Sequence, residues 1–153
     1  MRIAIDLTSL SYHMTGIERY ACCVTQSMIE QDQKNQYVLV FRESIYPSFE
    51  AYKNSPNVEF VLAKGGSKLI FMQLILPVRL YGIKADKYLF FAFPSPLLFR
   101  KKQIMNTIHD MGPWDSAASM KFLQRFYWKV QIRNASRVSS RIITVSNFSK
   151  GRI

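Results

Sequence analysis

Acidic residues are scarce in this chain. Only ten Asp and Glu stand against 21 Lys and Arg in 153 residues, a formal net charge of +11. A surface so short of carboxylate points to an anionic partner: nucleic acid, a phosphorylated small molecule or the anionic face of a membrane. Cysteine is scarcer still. Cys22 and Cys23 are the only two, and neighbours within a helical pattern form a strained disulfide, so they read as reduced, small buried thiols of a cytoplasmic protein. A disulfide-stapled secreted scaffold is thereby excluded. The opening MRIAIDLTSL reaches Asp6 after three apolar residues, which is no secretory signal and makes a good first strand. No G-x-G-x-x-G and no G-x-x-x-x-G-K-[ST] occurs, so neither the dinucleotide fingerprint nor the P-loop applies. No D-x-D pair and no histidine or thiolate pair at ligand spacing occurs either, which makes a metal-free site the expectation. The longest apolar stretch, LIFMQLILPVRLY at 69–81, is about 13 residues long, short of the ~20 needed to span a bilayer.

What is present is an alternation. Apolar runs rich in β-branched and aromatic residues recur at 2–7, 37–42, 58–62, 88–92, 104–109 and 142–145. They are short and apolar on both faces, the pattern of parallel strands covered on two sides. Helical patterns lie between them at 17–31, 67–83 and 117 to about 136, long enough to serve as crossovers, with a shorter helix at 46–53 beside Pro47 and Pro56. The expectation is an α/β, Rossmann-like, doubly wound and mostly parallel sheet flanked by helices. One domain over 1–153 suffices, since a chain of this size buries roughly 68–70% of its unfolded surface.

In such a sheet ligands sit beyond the carboxyl ends of the strands, so three loops matter: TSLSYHMTGIERY, HDMGPWDS and the terminal SNFSK. Gly16 opens the helix of the first loop. There a residue without Cβ lets the backbone approach an anion, or simply makes a tight turn. His13 is assigned no role. His109 ends a central strand with Asp110 behind it, which sets an imidazole at the ligand crevice. Asp110 could orient that ring or meet a sugar hydroxyl, and the alternative for His109 is a histidine that satisfies local backbone groups. The run VSNFSK reads as a strand followed by a capped helix start at Ser146.

Taken in order, RIAIDLTSL…TGIERY, LPVRL, ADKYLFFAFPSPL, NTIHDMGPW and RIITVSNFSKGRI resemble the N-terminal half of a GT-B glycosyltransferase of family 4, from Arg2 to Ile153. The resemblance implies transfer of a sugar from a nucleotide-sugar donor to an acceptor hydroxyl, with retention of anomeric configuration and without metal or cofactor. It implies a glycan or lipid-linked acceptor, in cell-surface polysaccharide assembly, received mainly by this domain. The nucleotide-binding domain would lie outside this chain, which alone would be inactive. By motif, Gly16 faces the donor diphosphate, with Ile17, Arg19 and Ser146 in the same donor-binding set. His109, with Asp110, lies against the transferred sugar. One departure is Glu18, where many relatives have a second glycine, because an acid beside a phosphate is unfavourable unless it points away.

The charge has its own pattern. Lys121, Arg125, Lys129, Arg133, Arg137 and Arg141 recur every fourth residue and form one basic strip along a helix, ending before Arg141 on the next strand. The apolar helix at 69–81 is expected in the core. A sharper reading joins strip, helix and the RKK of 100–102 in peripheral docking to the inner face of the cell membrane. The competing classes are a nucleic-acid binder and a stand-alone binder of nucleotide or phospho-sugar on the same half-fold. Aromatic content of 14% permits the former, but Phe90, Phe91, Phe93 and Phe99 read as packing and no base-reading module occurs, so no nucleic acid is expected.

Overall fold

The computed structural model describes residues 1–115 and 120–153. Six strands, β1 (Arg2–Asp6), β2 (Gln36–Phe41), β3 (Val58–Leu62), β4 (Lys87–Phe90), β5 (Ile104–Ile108) and β6 (Arg141–Thr144), form one sheet in the order β3-β2-β1-β4-β5-β6. Every neighbouring pair is parallel. This is the Rossmann-like doubly wound α/β architecture expected from the alternation, and each strand falls within a residue or two of its expected bounds.

The continuous apolar runs follow from burial on two sides. Ile5 sits between Leu39 and Leu89 in the register, and its neighbour Ala4 between Val38 and Tyr88. Ile5, Leu39 and Leu89 join a core with Ala21, Cys22 and Ile29 of α1 (Gly16–Gln31). Ala4, Val38 and Tyr88 join a second core, on the opposite side, with Phe71, Leu76 and Leu80. Alternation of side chains along each strand thus feeds two cores, each fully buried large side chain contributing about 1.5–3 kcal/mol. Phe90, Phe91 and Phe99 are buried in them, as expected. Cys22 is buried, but Cys23 is exposed, which corrects the reading of two buried thiols: adjacent helical residues point about 100° apart, so both cannot face the sheet.

The segment after β3 forms α2 (Lys68–Ile70), a π segment (Phe71–Ile75) and α3 (Leu76–Gly82), which run on as one rod. Leu76 N–H bonds Phe71 O, five residues back. This wide turn re-registers the ladder just ahead of Pro77, which has no N–H to give. The rod was expected in the core. Only one side of it is there: Leu69, Ile70, Leu74, Val78 and Tyr81 are exposed, because a helix lying on an open sheet has a single side against it. The 46–53 helix is a 3₁₀ helix over Pro47–Tyr52. The third crossover is α5 (Phe122–Val138), preceded by the short α4 (Gly112–Asp115) and followed after β6 by α6 (Asn147–Lys150). The expected start of that crossover at 117 lies outside the described residues.

Two glycines behave oppositely. Gly66, in the turn between β3 and the rod, has φ +74°, and a Cβ there would stand 2.7 Å from Ile75 Cδ1. A Cβ on Gly16, at the first position of α1, would meet nothing within 4 Å. Gly66→Ala is therefore expected to lower unfolding free energy by more than about 1 kcal/mol. Gly16→Ala is expected to leave it unchanged or raise it by up to about 1 kcal/mol. Urea denaturation of the two variants measures both, and an equal loss at the two positions would contradict this account.

Candidate functional site

The strand order reverses between β1 and β4, and the loops leaving their carboxyl ends part there to open a crevice. Two cavities occupy it. The larger, about 410 Å³, is lined by Asp6, Ser9, Glu18, Arg42 and Lys68 among others. The smaller, about 230 Å³, is lined by Ile17, Thr107, His109, Pro113, Trp128 and Ile132 among others. Phe93 and Pro94 line both and form the wall between them. That wall is fixed from below. Asn106, fully buried on β5, accepts from Ser95 N–H at 2.6 Å and donates to Ser95 Oγ at 3.1 Å and Ser139 Oγ at 2.8 Å. A buried amide satisfied this fully locks the loop that carries the wall. Phe93 also packs on Trp128 of α5, ring centroids 5.7 Å apart.

The first turn of α1 reaches both cavities, Glu18 lining the larger and Ile17 the smaller. Its first helical bond is Arg19 N–H to Thr15 O at 3.1 Å. The amides of Gly16, Ile17 and Glu18 therefore precede the ladder, as the opening amides of any helix do. Glu18 Oε2 accepts from Thr15 N–H at 2.7 Å and from Thr15 Oγ1 at 2.6 Å. The Glu18 carboxylate is thus turned back on its own helix cap. Arg19 is exposed and lines neither cavity.

His109 lies at the carboxyl end of β5, its ring edge-to-face with Tyr20 of α1 at 5.1 Å. Its Nε2 is 2.8 Å from Phe91 O. A carbonyl only accepts, so Nε2 is the donor in this bond, and Nδ1 is the nitrogen left to meet a ligand. The histidine satisfies a local backbone group, and it does so while lining the smaller cavity. Asp110 is occupied differently. Its Oδ1 accepts from Gly112 N–H at 2.8 Å, opening α4. Ser146 caps α6, accepting from Ser149 N–H at 3.1 Å, and lines neither cavity. The buried Ser149 then donates from Oγ to His109 O at 3.1 Å. The structure therefore brings Ile17, His109 and Asp110 into one cavity, and leaves Gly16, Arg19 and Ser146 outside its lining.

Three residues of the crevice were not singled out from sequence. Asp6 accepts from Thr8 N–H at 3.0 Å and Thr8 Oγ1 at 2.7 Å. Burial pushes its carboxyl above the ordinary aspartate value, against those two bonds, which act the other way. The available signal was an acid ending an otherwise apolar strand. Arg42 donates from Nη2 to Gly66 O at 2.8 Å and lies 4.6 Å over the Phe71 ring, which holds it at the wall of the larger cavity. Lys68 stands at the start of the rod on that same wall. Among the described residues no three His, Cys, Asp or Glu side chains converge as a metal site would require.

Compared with family models, curated proteins and solved structures, the chain matches none.

Because folding raises the Asp6 pKa, the native state keeps this proton to higher pH than the unfolded chain, where it leaves near 3.8. Stability from this group therefore falls as pH rises from 3.8 through the native value. Asp6→Asn keeps the Oδ1 acceptor for Thr8 and removes the titration. The unfolding free energy of wild type relative to Asp6→Asn is expected to be larger below pH 3.8 than at neutral pH. A flat or reversed difference in urea titrations would contradict the assignment.

Proposed function

We propose that this chain is the acceptor-side domain of a retaining glycosyltransferase of the GT-B, family 4 type, moving a sugar from a nucleotide-sugar to an acceptor hydroxyl on a glycan or lipid-linked precursor. The observation that carries the reading is the smaller cavity at the strand-order reversal, where the first turn of α1 and His109 stand on one lip. Retaining transfer breaks the bond between the anomeric carbon and the diphosphate. Positive charge then develops on the sugar while negative charge develops on the leaving phosphates. The amides of Gly16, Ile17 and Glu18 suit the second task, since opening helix amides and the helix dipole favour an anion without a metal. Glu18 is compatible with this because its carboxylate is spent on Thr15. His109, its Nε2–H held by Phe91 O, suits the first task as a positioned ring against the sugar. The larger cavity is the place for the acceptor, where Asp6 and Ser9 offer polar atoms to hydroxyl groups and Arg42 and Lys68 offer cations to an acceptor phosphate.

Glycosyl transfer by the product of the complete reading frame, supplied with nucleotide-sugars and lipid-linked acceptors, tests the proposal. Gly16→Val is expected to abolish transfer without shifting the unfolding midpoint, since its side chain projects into open space. His109→Ala is expected to lower turnover by roughly tenfold, about 1.4 kcal/mol or one net hydrogen bond, with less effect on nucleotide affinity. Near wild-type turnover in both variants would overturn the site. Nucleotide binding with no transfer to any acceptor would favour the stand-alone binder.

A further inference from the structure

The positive charge is not spread over the molecule. The rod of α2, its π segment and α3 contains no acidic residue, nor does α5, and Asp86 is the only acid among residues 64–102. On the opposite side of the sheet α1 carries Glu18 and Glu30 against Arg19, and the 3₁₀ helix carries Glu50, paired with Lys53. The rod and α5 share one side of the sheet and are tied together. Gln73 Nε2 donates to Tyr127 OH at 2.8 Å, and Arg100 Nη2 donates to Asn134 Oδ1 at 2.8 Å. The outer side of this basic layer is apolar where solvent meets it: Val78 is 70% exposed, Phe122 79%, Leu123 78% and Phe126 62%, with Leu69, Ile70 and Leu74 half exposed or more. Leu98 joins them on the β4–β5 loop, held by Tyr81 OH bonding Leu98 O at 3.1 Å, and Lys101 lies over the Tyr81 ring at 5.4 Å.

We propose that the outer side of the α2–α3 rod and α5 is a docking surface for an anionic lipid bilayer, with the apolar side chains entering the interface and the Lys and Arg around them meeting the headgroups. Among the described residues no helix is long and apolar enough to cross a membrane, so the contact is interfacial. Charge complementarity selects the occupant. A second copy of this chain would bring two acid-free, basic faces together. Single-stranded nucleic acid is bound by a cationic groove with stacking rings, whereas Leu69, Ile70, Leu74, Val78 and Leu123 have no π face to offer a base. Part of the strip expected from sequence is committed elsewhere: Arg125 Nε donates to Pro113 O at 2.7 Å, and Lys129 and Arg133 lie over the Trp114 ring. Exposed cations around the apolar side chains include Arg79, Lys101, Lys102, Lys121 and Arg137, with Lys101 resting over the exposed ring of Tyr81.

This surface is tested without any sugar, so it stands or falls apart from the transfer chemistry. The chain is cosedimented with vesicles of phosphatidylcholine alone or of an equimolar phosphatidylcholine–phosphatidylglycerol mixture. Recovery is expected on the anionic vesicles only, weakening with salt. The double variant Val78→Ser with Leu123→Ser, whose exposed positions leave the melting curve unchanged, is expected to lose at least about tenfold in vesicle affinity. Lys101→Glu with Lys102→Glu tests the electrostatic half separately and is expected to weaken binding to the anionic vesicles. Equal recovery on both vesicle types, or vesicle affinity unchanged by the serine variant, would overturn the proposal. So would self-association abolished by that variant, or RNA binding in the absence of vesicle binding.

Discussion

The crevice depends on a reversal of direction in the sheet. From β1 the chain steps outward through β2 to β3, then crosses back over both to resume at β4 on the other side of β1. Parallel neighbours require crossovers, and crossovers of one hand put α1 on one side of the sheet and the returning rod on the other. The loops after β1 and β4 must therefore lead away from each other. Among the described residues, the gap they leave brings the first turn of α1, the strand-end His109 and the strand-end Asp6 to the walls of the two cavities.

The same edge shows how the chain handles charge there. Glu18 supplies an anion to its own helix cap, bonded by the amide and hydroxyl of Thr15. A bound phosphate would share the helix end with that carboxylate and rely on the next three amides. Arg42 and Lys68 line the larger cavity together with Asp6, Glu18 and Glu43, and Arg42 Nε lies 3.4 Å from Glu43 Oε1. Arg42 is braced by Gly66 O and the Phe71 ring, and Gly66 holds φ +74°, where a Cβ would stand 2.7 Å from Ile75 Cδ1. The turn after β3 is thus linked through one guanidinium to the wall of the site.

The strands were legible because parallel strands covered on two sides read as short, largely apolar runs rich in β-branched and aromatic residues and bounded by turn residues. Their order was not, since it depends on which crossovers pass over which strands. The rod at 68–82 misled for a related reason: hydrophobicity around a whole helix signals burial in a core, but here the outer half is exposed. Asp6 stands in the sequence only as an acid that interrupts an apolar start, because its burial and its bonds to Thr8 come from the folded loop after β1. Asp110 could be placed beside His109 by spacing, yet its bond to Gly112 belongs to a turn that adjacency does not reveal. His109 itself was legible in position and ambiguous in role, and the ambiguity comes from one ring serving a backbone carbonyl with one nitrogen while leaving the other available.

The sheet also separates two surfaces of different character. The carboxyl edge holds two cavities in which a few polar groups stand among apolar side chains. The outer side of the rod and α5 is broad, acid-free and apolar, as a surface for an extended anionic partner must be. The most direct measurement on the crevice is a crystal structure of the complete reading-frame product grown with a nucleotide-sugar. The account predicts the diphosphate within hydrogen-bond distance of the Gly16, Ile17 and Glu18 amides, with the sugar against His109. Density for the nucleotide on the basic outer layer, with those amides and His109 untouched, would contradict it.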